Sequence, residues 1–150
     1  MTLNEEWGLN GKVAIVTGGG AAGDGIGNGR AAAILLARAG ARVLVVDRDL
    51  ALAERTVAMI AAEGGSAVAA SYDVTNSEQC AAMVADAVSR WGRLDCLDNN
   101  VGIGSRGSVV AETTRPWPDV KALNLVPTTP DLAAEPRLQQ RCVASGIIGL

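Results

Sequence analysis

The chain has 150 residues, a length that suits one domain, and 16 acidic against 13 basic side chains give a net charge of −3 with no basic footprint for nucleic acid. It contains no histidine, which excludes His-based catalysis and His-ligated metals. No apolar run approaches a membrane span, and the opening MTLNEEWGLN lacks the basic and apolar regions of a signal peptide.

Cys80, Cys96 and Cys142 are odd in number and widely spaced. They suit neither a disulfide framework nor a zinc site, so they read as reduced cysteines of a cytoplasmic protein. No internal repeat is evident, and no metal-ligating cluster stands out.

Val13–Val16 is an apolar run with the composition of a strand buried on both faces. A glycine-dense turn follows. Gly18, Gly20 and Gly23 match G-x-G-x-x-G literally, yet the helical pattern begins only after Asn28. Gly25-Ile26-Gly27 sits at that helix start, so the phosphate turn is placed there. A helix is expected over Ala31–Ala39 and a second buried strand over Val43–Val46, ending in Asp47. Strand, glycine turn, helix, strand and acid in that order describe a dinucleotide site. Glycines let the backbone approach a pyrophosphate, free N–H groups at the helix N-terminus meet its charge, and Asp47 accepts from ribose hydroxyls.

Leu50–Glu63 reads as a helix with Leu52, Thr56, Met59 and Ile60 on one stripe, stopped by Gly64-Gly65. Ala67–Tyr72 reads as a third buried strand, followed by Asp73-Val74-Thr75. Asn76 or Ser77 caps the next helix, which carries Cys80, Met83, Val84, Ala87, Val88 and Trp91 at helical spacing and ends at Gly92. Leu94–Leu97 is a fourth strand running into Asn99-Asn100-Val101-Gly102. Strands alternating with helices imply an α/β fold with right-handed crossovers, a Rossmann-type doubly wound parallel sheet of strand order 3-2-1-4 that is truncated after its fourth strand.

Three segments resemble the short-chain dehydrogenase/reductase family, over about residues 5–125. Thr17-Gly18 through Gly25-Ile26-Gly27 resembles the family's TGxxxGIG cofactor turn. Gly92-Arg93-Leu94-Asp95, a strand, and then Asn99-Asn100-Val101-Gly102 resemble its NNAG segment. Trp117, Val120 and Leu123-Asn124-Leu125 resemble the helix that supplies its catalytic asparagine.

The resemblance implies an NAD(P)-dependent oxidoreductase acting on alcohols or carbonyls. It puts Gly18, Gly25, Ile26 and Gly27 against the pyrophosphate, with Thr17 opening the turn. It makes Asp47 the selector of NAD, with neighbouring Arg48 partly accommodating NADP. Asp73 and Val74 flank the adenine, Asn99 approaches the cofactor from the fourth strand with Val101 and Gly102 beside it, and Asn124 takes the proton-relay position. Each has a plainer alternative: Asp73 ends a strand, Asn99-Asn100 is turn chemistry, and Asn124 is an exposed helix residue.

Departures from the family pattern bear on activity. Six residues separate Gly18 from Gly25 where the family usually has three, and Asp24 brings a negative charge towards the phosphates. Asp98 stands where the fourth strand is normally apolar, and needs a partner or water. All five prolines lie at or beyond Pro116, and the texture changes at Leu125–Pro127. The serine-bearing strand and the Tyr-x-x-x-Lys of the family have no counterpart: the single tyrosine is Tyr72 and the lysines are Lys12 and Lys121.

These features set the expectations. Residues 1–125 form a partial NAD-binding unit and 126–150 an irregular tail, read as a truncated or frame-shifted coding sequence. The chain is expected to bind an adenine dinucleotide without catalysis; alternatives are a non-catalytic adenine-nucleotide module and an interaction protein that self-associates through the open edge of its fourth strand.

Overall fold

A computed structural model of the chain describes residues 7–23 and 25–102. Asp24, Asn124, Trp117, Lys121, Cys142 and the 126–150 tail lie outside the described residues. Four strands and three helices alternate: β1 (Val13–Thr17), α1 (Asn28–Arg38), β2 (Arg42–Asp47), α2 (Leu50–Ala62), β3 (Ser66–Ser71), α3 (Ser77–Trp91) and β4 (Cys96–Asn99). The strands form one parallel sheet in the order β3-β2-β1-β4.

The two central strands explain the apolar runs. Successive side chains leave a strand on opposite faces. Val13 and Ile15 of β1, with Leu44 and Val46 of β2, meet Met83, Val84 and Ala87 of α3 on one face. Val16, Val43 and Val45 meet Ala33, Ile34 and Ala37 of α1 and Ala53 and Ile60 of α2 on the other. Both faces are covered, so neither strand can alternate with polar residues.

The helix ends follow local chemistry. The Asn76 carboxamide oxygen accepts from the Gln79 amide at 3.1 Å and caps α3, and Asp49 caps α2 by accepting from Ala51 at 3.0 Å. Trp91 and Val88 pack, partly buried, against the Met83 side of the core.

Four sequence expectations are corrected. Helix α1 begins at Asn28, three residues before the expected Ala31. Met59 is exposed; the buried stripe of α2 is Ala53, Thr56 and Ile60. β3 is only half-buried, because it forms the outer edge of the sheet beside β2. Finally, β4 is Cys96–Asn99 rather than Leu94–Leu97. Leu94 is buried in the core before pairing starts, and Asp95 intervenes: its carboxylate accepts from the Val13 amide at 2.9 Å while its own amide donates to the Val13 carbonyl. Regular pairing then runs from Ala14↔Cys96 to Thr17↔Asn99.

Candidate functional site

The carboxyl ends of β1, β2 and β4 open into a cleft of about 410 Å³, closed on one side by the start of α1. Ligands of open parallel sheets bind in this place, outside the strand ends. Gly18, Gly25, Gly27, Asp47, Arg48, Val74, Val101 and Gly102 line the cleft. So do Gly20, Ala21, Ala22, Asn28, Gly29, Tyr72 and Asn100.

The start of α1 is built for an anion. Gly27 precedes it with φ +59, a backbone conformation that side chains resist. The first bond within the helix runs from the Ala31 amide to the Gly27 carbonyl, so the amides of Asn28, Gly29 and Arg30 precede the hydrogen-bonded ladder. No side chain of the described residues caps them. Such an end carries partial positive charge and outward N–H groups.

Gly29 sets how close α1 comes to the sheet. A Cβ built there would sit 2.0 Å from the Gly18 carbonyl oxygen and 2.5 Å from the side-chain nitrogen (Nδ2) of Asn100. This is the glycine that lets helix and strand touch, the third role in a dinucleotide turn. It lies outside both glycine matches in the sequence, that of Gly18, Gly20 and Gly23 and that of Gly25-Ile26-Gly27. A signal was present: Gly29, Ala33 and Ala37 share one buried face at spacing i, i+4, i+8.

Asp47 ends β2 at the rim of the cleft. One carboxylate oxygen accepts from the Gly20 amide at 3.0 Å and the other from the Asp49 amide at 3.1 Å. The acid thus pins the glycine turn at the edge of the cleft. Opposite, Val74, Cys80 and Val101 form a small apolar cluster. Tyr72 lies alongside; burial, and then the nearby Asp86 carboxylate, push its phenol pKa up. That phenol stays protonated at neutral pH.

Five singled-out residues, Thr17, Ile26, Asp73, Asp98 and Asn99, are absent from the cleft lining. Thr17 is fully buried beneath it, where its hydroxyl donates to the Asn99 side-chain oxygen at 3.1 Å and accepts from the Asn100 amide at 3.2 Å. Thr17 and Asn99 therefore tie the ends of β1 and β4 together, and Asn100 is the residue of that pair facing the cleft. Ile26 is exposed beside the turn. Asp73 turns its carboxylate onto the Thr75 hydroxyl and amide, at 2.6 and 2.9 Å, and these bonds hold it below the usual carboxylate range. Asp98, in β4, is half-buried, and that burial pushes its pKa up.

Among the described residues no three His, Cys, Asp or Glu side chains stand where they could hold a metal ion, and no helix is long and apolar enough to cross a membrane.

A parallel 3-2-1-4 sheet, an uncapped helix start at its carboxyl end and an acid closing β2 define a Rossmann-type nucleotide-binding unit. The chain belongs to the short chain dehydrogenase family, whose sequence model matches residues 12–130. It is similar to a short chain dehydrogenase/reductase of Aspergillus oryzae, 40% identical over 129 residues, covering 84% of this chain and 48% of the relative. It is also similar to a solved structure from Burkholderia xenovorans assigned to the short-chain dehydrogenases/reductases, with TM-score 0.74 and 49% identity over 78% of this chain and 46% of that one. A metagenomic short-chain oxidoreductase solved in complex with NADP matches with TM-score 0.69 and 34% identity over 78% of this chain and 51% of that one. The chain spans about half the length of these relatives. Its relatives are NAD(P)-dependent oxidoreductases, and the family binds a nicotinamide dinucleotide.

Proposed function

We propose that residues 1–125 form the adenosine- and diphosphate-holding half of an NAD(P)-dependent oxidoreductase acting on alcohol or carbonyl substrates, with NAD preferred to NADP. The observation that carries this reading is the meeting of the Asp47 carboxylate and the uncapped start of α1 in one cleft. The cleft fits such a group: the Gly29 approach leaves α1 against the sheet, and the Val74–Val101 cluster offers an apolar wall for an adenine. The amides of Asn28 to Arg30 would meet the diphosphate, and Asp47 the ribose hydroxyls. A carboxylate there disfavours a 2′-phosphate, which supports NAD, while Arg48 on the same rim moderates the preference.

The nicotinamide group, when bound, supplies or accepts hydride. Turnover also needs a positioned acid for the developing alkoxide, and losing one typically lowers rates by about 10²- to 10⁴-fold. Tyr72, the single tyrosine, lines the cleft beside Val74 and Val101, where the adenine would lie, and no Tyr-x-x-x-Lys exists in the sequence. Asn124 takes the relay position by resemblance alone. The 150-residue chain is therefore expected to bind dinucleotide in the cytoplasm without completing the reaction by itself. Among the described residues β4 pairs with β1 alone, which supports pairing of that edge with a further strand, from this chain or another copy.

The test is fluorescence titration of the chain with NADH and NADPH, followed by assay of NADH oxidation on a panel of ketones. Saturable NADH binding, tighter than NADPH and without turnover, is the expected result. Equal failure to bind both by folded protein contradicts the reading.

A further inference from the structure

Arg30 is 4% exposed, and a guanidinium never gives up its charge within a protein. A buried cation is costly unless its donors are satisfied. Its Nε donates to the Thr56 hydroxyl at 3.0 Å, one terminal nitrogen to the Gly25 carbonyl at 2.7 Å and the other to the Ala21 carbonyl at 3.2 Å. Thr56, fully buried on α2, accepts from Arg30 and donates to the Gly19 carbonyl at 2.8 Å. Three carbonyl oxygens of the glycine turn are thus gathered onto one Arg–Thr pair.

We propose that Arg30 and Thr56 are positioning residues that turn the glycine loop into a diphosphate cradle; this rests on the nucleotide reading above. An outward carbonyl oxygen beside a diphosphate repels it, whereas an outward N–H attracts it. In a trans peptide the C=O and the following N–H point in opposite directions. Drawing the Ala21 and Gly25 carbonyls onto Arg30 turns the Ala22 and Ile26 amides away from the guanidinium. Drawing the Gly19 carbonyl onto Thr56 likewise reverses the Gly20 amide, which is the one that donates to Asp47. The Thr56 hydroxyl and the Gly25 and Ala21 carbonyls that accept from Arg30 are all uncharged, so its positive charge also favours an anion above the turn.

The experiment compares ADP with adenosine on the full chain. For Thr56→Val, ADP affinity is expected to fall about tenfold while adenosine affinity stays within about twofold. Thr56→Ser keeps the hydroxyl and is expected to restore ADP binding. Arg30→Lys, which loses the fork, is expected to behave like Thr56→Val. In the wild-type amide spectrum, ADP is expected to shift Ala22 more than adenosine does, a readout that stands even where a variant fails to fold. Folded variants binding ADP like the wild type, equal losses for ADP and adenosine, or an Ala22 amide unmoved by bound ADP would each overturn the clamp. Wild-type protein that binds neither ligand overturns the nucleotide reading itself.

Discussion

Gly29 and Gly18 are in such close contact that a single methyl group on Gly29 would lie 2.0 Å from the Gly18 carbonyl oxygen, inside any tolerable distance. Backbone, not a flexible side chain, stands in the way, so the strand-to-turn junction itself must move. Gly29→Ala is expected to lose about 1–3 kcal/mol of stability and most ADP affinity, because α1 retreats from the sheet. Gly25→Ala is the control for stability alone: its added Cβ meets nothing within 4 Å among the described residues. Thermal unfolding of the two variants checks the contrast, and ADP titration of Gly29→Ala checks the loss of affinity. Similar losses of stability for both would place the critical approach elsewhere in the turn.

Asp47 holds Gly20 and Asp49 through its oxygens, and in the proposed reading it also meets the ribose hydroxyls. Asp47→Asn keeps an acceptor oxygen but removes the charge that disfavours a 2′-phosphate. The NAD-to-NADP affinity ratio is expected to fall about tenfold, with Arg48 on the same rim contributing to the gain for NADP. Competition titrations with the two dinucleotides measure it.

Burial holds the Asp98 carboxyl above its ordinary pKa in the folded chain. The folded state therefore keeps its proton to higher pH than the unfolded state, and stability falls as pH rises through that window. Asp98→Val removes the acid and adds a strand-forming side chain. It is expected to stabilise the protein at pH 7 by on the order of 1 kcal/mol, with the charge-dependent part of the gain vanishing below the carboxylate range. Denaturant melts at pH 3 and pH 7 give the comparison.

Asp95 titrates in the opposite sense. Burial raises its pKa, but the Arg93 side chain, the Val13 amide and then Lys12 outweigh it and hold the carboxyl below the usual range. The stability it contributes is present at neutral pH and is lost as pH falls through its lowered folded-state pKa. Asp95→Ala leaves the first amide of β1 without that acceptor and is expected to cost about 1–2 kcal/mol at pH 7. Its melting curve should also flatten its pH dependence at the acid end.

The sheet order was legible because the two central strands carry unbroken apolar runs and the helices between them carry period-3.6 stripes. Asp47 was legible because it ends such a run. The start of β4 was not: Leu94 is as apolar as any strand residue, and nothing local shows that Asp95 first takes the Val13 amide. Met59 misled because it is apolar and next to the buried Ile60, whereas the buried phase of α2 runs through Ala53, Thr56 and Ile60, with Thr56 held by Arg30 and Gly19. The glycine register was hardest. Eighteen glycines supply several matches to one short pattern, and only the contact between Gly29 and Gly18, 11 positions apart in sequence, ranks them. Arg30 was invisible as a site residue because its role depends on three carbonyl directions.

Calorimetric titration of the 150-residue chain with adenosine, AMP and ADP measures directly whether the start of α1 holds a diphosphate. The predicted result is affinity that rises with each phosphate and weakens with added salt, as expected for an anion met by backbone amides. Folded protein that binds adenosine and ADP equally well, or binds neither, would contradict it.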